Sequence, residues 1–123
     1  MLIACAAVVL SILISTTPAS ATEKNGVVEI GEFGLYLSTG SSGTVFDLYM
    51  ADLDFSNDVF PGTSIPANDN TESYRNRDVY WWHVWTDANY AGSHGCLAAG
   101  YVGDASPTYK DTISSAYFSS SSC

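Results

Sequence analysis

Two histidines, His83 and His94, three cysteines, thirteen carboxylates and abundant serine are the groups of this 123-residue chain that could do chemistry. A serine hydrolase would set its nucleophile on a sharp strand-to-helix turn of G-x-S-x-G form. No such turn exists, and Gly40-Ser41-Ser42-Gly43 lacks the apolar helix that would follow one. The histidines stand neither in an HExxH pair nor at zinc-ligand spacing with two cysteines. No glycine-rich loop opens a helix to cradle phosphate. These residues predict a binding protein rather than an enzyme, with no required cofactor.

The elements that would position these groups are short strands. Residues 1–21 carry no charge, run apolar from Leu2 to Leu13 and end in Pro18-Ala19-Ser20-Ala21, the pattern of a secretory signal peptide cut after Ala21. The mature part, 22–123, has the size of a single domain. Phe33, Leu35 and Leu37 alternate against Tyr36, Gly40 to Gly43 turn, and Val45, Phe46, Leu48 and Tyr49 return, a hairpin signature. Asp52, Asp54 and Asp58 form an acidic loop. Pro61-Gly62 and Ile65-Pro66 then break any regular element across Ser56 to Ala67, the longest irregular stretch, and Asn68 to Ser73 reads as a polar turn.

A second hairpin is expected from Val79 to Trp85 and Cys96 to Tyr101, followed by a loop over Gly103 to Pro107 and a last strand from Ile113 to Phe118. Trp81, His83 and Trp85 share one face of its first strand; Tyr80, Trp82 and Val84 share the other. One face is core. The other either displays aromatics for a sugar or a partner or is covered by a loop or the C-terminal tail, and Trp81 and Trp82 are the candidate surface for glycan binding. With Cys5 removed in the signal, Cys96 and Cys123 predict either one disulfide pinning the tail or an intermolecular bridge. The net charge of −9 argues against nucleic acid and anionic membranes, both of which need clustered Lys and Arg.

The chain carries an internal echo. A shift of 49 positions lays Phe33 on Trp82, Leu35 on Val84, Tyr36 on Trp85, Gly43 on Gly92 and Leu48 on Leu97. A shift of 42 lays Asn68-Asp69-x-x-Glu72-Ser73 on Lys110-Asp111-x-x-Ser114-Ser115. Two repeats, about 31–76 and 80–118, would each hide an apolar face against the other.

Trp85-x4-Tyr90-x-Gly92 followed by Asp111-x-x-Ser114-Ser115 resembles the Greek-key signature of the βγ-crystallins. Val84 to Gly92 is similar to secreted actinobacterial proteins of peptidase inhibitor family I36. The resemblance implies an all-β, single-domain sandwich of two Greek keys, with Trp85, Tyr90, Gly92 and Ser115 as the fold signature. In the first unit Ser41 replaces the second aromatic. The resemblance also implies calcium as an optional ligand of Asp69 and Glu72 in one unit and Asp111 and Ser114 in the other. Lys110 and Glu72 depart from that motif. The function it implies is inhibition of an extracellular protease, metalloproteases above all, by a secreted monomer. Val59, Phe60 and Pro61 are the expected contact residues. The alternatives are a calcium-binding structural or cell-surface module, or a glycan-binding or toxin-like protein.

Overall fold

The structure is a computed structural model that describes residues 22–123; the signal segment expected over 1–21 lies outside the described residues. Seven strands follow in order: β1 (Phe33–Ser38), β2 (Ser42–Leu48), β3 (Ser73–Asn76), β4 (Trp81–Asp87), β5 (Ala91–Leu97), β6 (Val102–Asp104) and β7 (Ser115–Ser119). They form two antiparallel sheets, ordered β2-β1-β3-β6 and β5-β4-β7. Among the described residues the only helical element is a 3-10 turn, Phe55–Asn57, whose N-cap Asp54 accepts a hydrogen bond from the Ser56 N–H. No helix of these residues is long and apolar enough to cross a membrane.

Alternation decides which face of each strand is buried. Phe33 and Leu35 of β1, Phe46 and Leu48 of β2, and Trp82 and Val84 of β4 point between the sheets and are shielded from solvent. Phe33 stacks on Trp82 at 5.0 Å between centroids, so the two matched positions of the sequence echo meet at the centre of the core. Phe55, Phe60 and Ile113 seal the end of the sandwich, with Phe55 edge-on to Phe46 at 5.1 Å. Burying each such side chain stabilises the fold by roughly 1.5–3 kcal/mol.

Each half lends a segment to the other. β6 of the second half pairs with β3 of the first, Tyr74 opposite Gly103. In return Asp52 of the first half bridges Ala116 of β7, each N–H donating to the other's carbonyl at 2.9 Å. This exchange locks the two units into one body.

Three strands differ from the sequence expectation, and the first, β5, expected over Cys96 to Tyr101, starts earlier and spans Ala91–Leu97. β3 begins where a polar turn was expected to end, and β6 lies in the expected Gly103–Pro107 loop. Neither β3 nor β6 has an apolar alternation, because Ser73, Arg75, Asn76 and Asp104 are polar; β3 becomes a strand by pairing with β1 of its own unit and with β6 of the other, and β6 by pairing with β3. Tyr101, expected in a strand, lies outside one and is exposed.

Candidate functional site

The 56–67 loop is folded rather than loose. The Ala67 N–H donates to Asp58 O (3.0 Å), the Phe60 N–H to Ile65 O (2.9 Å) and the Thr63 N–H to Phe60 O (3.0 Å), while Val59 bridges Pro66. The Thr63 hydroxyl adds two more bonds, donating to Phe60 O and accepting from the Ile65 N–H. Phe60, expected to face a protease, is instead fully buried, its ring 6.4 Å from that of Phe46. Of two adjacent apolar residues on a strand-like bridge, one must point in, and the larger ring fills the core end. Val59 remains 48% exposed, and Pro61 is half-buried beside the lobe's tip. Thr44 Oγ1 donates to Pro61 O at 3.3 Å, tying the tip to β2.

The four candidate calcium ligands lie where the two units meet. The Asp69 N–H donates to Ile113 O and the Asp111 N–H to Thr71 O, a reciprocal pair, and both aspartates have left-handed backbone, φ 60° and 56°. Ser114 Oγ donates to Asp69 Oδ1 at 2.9 Å across the units. Glu72 is instead ion-paired with Lys110 at 3.7 Å. An Asp and a Ser oxygen side by side fit a hard cation; a lysine ammonium on the other carboxylate opposes one. The acidic loop before these motifs is also engaged, since Lys24 Nζ lies 3.0 Å from Asp52 and 3.1 Å from Asp58.

The signature residues build the second hairpin's bend. Ser115 Oγ donates to Asp87 O (2.7 Å) and accepts from the Tyr90 N–H (3.1 Å). Gly92 has φ 83°, and a Cβ there would strike Thr86 Oγ1 and the Asp87 carboxylate. Tyr90 sits edge-on to Tyr117 at 4.9 Å, and Trp85 lies flat on His94 at 4.1 Å. The outer face of β4 is covered: Cys96 and Cys123 form a disulfide that draws the tail over it, and His83 Nε2 meets Ser121 O. Trp82, paired with Trp81 as a sugar-stacking surface, is wholly in the core.

Three features escaped the sequence. Tyr49, Met50, Val79, Tyr80 and Phe118 line an open apolar groove of about 380 Å³, built from residues flanking strands together with Phe118 of β7 and so without a shared period. Glu29, Glu32 and Asp47 converge beneath the N-terminal arm. There the Glu32 carboxyl is pushed up to about 8 by burial, by its hydrogen bond to Glu29 and by the charges of Asp47 and Glu29. The third is the convergence of both histidines on the disulfide.

Residues 28–97, more than half the chain, match the family model for peptidase inhibitor family I36. No match emerges among curated proteins. Among solved structures, one described as bearing on the evolution of the eye lens βγ-crystallin domain fold is 20% identical, with TM-score 0.64, covering 76% of this chain and 93% of its own. A βγ-crystallin from Ciona intestinalis is also 20% identical (TM-score 0.58; 72% and 100%). A βγ-crystallin domain from Clostridium beijerinckii is 17% identical (TM-score 0.58; 72% and 98%). These likenesses show the fold: two βγ-crystallin-type Greek keys. The family is one of inhibitors, not of enzymes, and the chain belongs to peptidase inhibitor family I36.

Proposed function

We propose that the protein is a secreted inhibitor of extracellular metallopeptidases and that the 56–67 loop is its contact. The observation that carries this reading is the loop's internal bonding: Phe60 anchors it in the core while Val59, Gly62 and Ser64 face outward. A loop held in one conformation before binding loses little entropy on docking. The same bonds and Pro61 oppose the backbone rearrangement that cleavage needs. The signal-like segment over 1–21 agrees with an extracellular target. Titrating secreted metallopeptidases and serine peptidases with the purified protein tests the reading. Complete loss of activity near one equivalent is expected for a metallopeptidase; full activity across the panel at excess inhibitor rejects it.

A second reading, calcium stabilisation, rests on the 2.9 Å Ser114–Asp69 contact between units. A cation bound only by the native state must raise the unfolding midpoint. Equal midpoints in EDTA and in millimolar Ca²⁺ reject it.

A further inference from the structure

We propose that His83, His94, Cys96 and Cys123 form a redox-gated site for one Zn²⁺, closed as a disulfide and opened by reduction. Their candidate ligand atoms all lie within 4.8 Å of one another. His83 and Cys96 are direct cross-strand partners of β4 and β5, His94 lies two residues from Cys96 on the same face of β5, and Cys123 arrives with the tail. Cys96 Sγ is 3.3 Å from His83 Nδ1 and 3.6 Å from His94 Nε2, and Cys123 Sγ is 3.9 Å from His94 Nε2. A tetrahedral zinc with Zn–S near 2.3 Å and Zn–N near 2.05 Å sets its sulfur and nitrogen ligands roughly 3.6 Å apart. The three sulfur–nitrogen distances straddle that value.

The surroundings are those of a ligand set. His83 Nε2 faces Ser121 O at 3.2 Å. Donating its proton there fixes the tautomer, leaving the Nδ1 lone pair aimed at the cluster, as an outer partner does for a metal-bound histidine. Tyr117 stacks on the His83 ring at 4.7 Å and Trp85 on His94 at 4.1 Å, holding both imidazoles in plane. The Tyr109 hydroxyl donates to His94 O at 2.7 Å and steadies that stretch of β5. His94 and Cys123 are exposed, giving a reductant and a metal a route in, while the hydrophobic core lies on the opposite face of the sheet.

In the disulfide state His94 Nε2–H donates to His83 Nδ1 across 2.7 Å. A dithiol supplies two electrons and two protons: the Cys96–Cys123 S–S bond breaks, two thiols form, and the dithiol closes to its own disulfide. Zn²⁺ then takes both thiolates, releasing two protons to solvent, and His94 moves its proton to Nδ1 so that Nε2 can ligate. The imidazoles part to roughly 3.3 Å and the sulfurs to roughly 3.8 Å, the edges of the same tetrahedron. Cys123, exposed and outside any strand, yields most easily.

Co²⁺ titration of the protein before and after reduction by a phosphine tests the proposal, with circular dichroism to verify the fold. One equivalent bound only after reduction is expected, with the strong visible bands of four-coordinate cobalt and thiolate charge transfer, bleached by Zn²⁺. His94→Ala and Cys123→Ser, both at exposed positions, should each weaken binding at least about tenfold and abolish the four-coordinate spectrum. A weak six-coordinate spectrum from the reduced protein, an unchanged spectrum in either variant, or loss of the native sheet signal on reduction overturns it.

Discussion

The two halves of the molecule share a backbone and differ in what covers them. In the first, Ser73 Oγ donates to Ser38 O (2.6 Å) and accepts from the Ser41 N–H (3.0 Å); in the second, Ser115 does the same with Asp87 and Tyr90. Ser41 and Tyr90 share left-handed backbone, φ 52° and 55°. The outer faces then diverge at matched positions: Gly34, Val45 and Asp47 on one side, His83, His94 and Cys96 on the other. Gly34 leaves room for Val28, and Asp47 holds the N-terminal arm by accepting from the Asn25 and Gly26 N–H groups. Cys96 holds the C-terminal tail by a covalent bond. The hydrogen-bonded bend is therefore the fold, and the aromatic side chains on it are replaceable.

The core pair is the point at which breaking either half should hurt most. Phe33→Ala and Trp82→Ala each empty the shared centre and should cost about 3–5 kcal/mol in urea unfolding. A loss confined to one of them would mean the halves are not equivalent there. The bend serines come next. Ser73→Ala and Ser115→Ala each remove a buried hydroxyl and unpair the part-buried bend groups it serves, and should each cost about 1–3 kcal/mol, despite the aromatic present in only one bend. A much larger loss at Ser115 would show that the aromatic corner, not the serine, carries the bend.

The arms differ in their response to pH. Glu32 beneath the N-terminal arm keeps in the folded state a proton that the unfolded chain, near its ordinary 4.5, releases. Its contribution is thus fully present below pH 4.5 and is lost as pH rises through about 8. Glu32→Gln keeps a donor toward Glu29 without the titration. Its unfolding midpoint relative to the parent should rise from pH 5 to pH 9, and parallel profiles would contradict the assignment.

Much of this was legible in the residues. β1, β2 and β4 alternate over buried faces, and the serine-to-bend bonds follow from the motif. β3 and β6 were not, because polar strands such as Ser73–Asn76 are made by pairing with strands distant in sequence, β1 on one side and β6 on the other, and not by their own pattern. Phe60 was misplaced because a loop has no period to say which of Val59 and Phe60 turns inward. The histidine–cysteine cluster was hidden for a related reason. Hairpin register and a returning tail bring its members together, and local spacing records neither.

The halves also differ in the connection after their second strand, which is longer in the first half, and the 56–67 loop within it is the contact proposed for inhibition. Val59→Glu places a charge on its exposed anchor without touching the core, so the unfolding midpoint should stay within about 0.5 kcal/mol of the parent. Tight-binding titration of an inhibited metallopeptidase with this variant is the direct measurement. The account predicts at least about a tenfold rise in the inhibition constant, as expected for loss of a central contact. An unchanged constant would place the inhibitory surface elsewhere and contradict it.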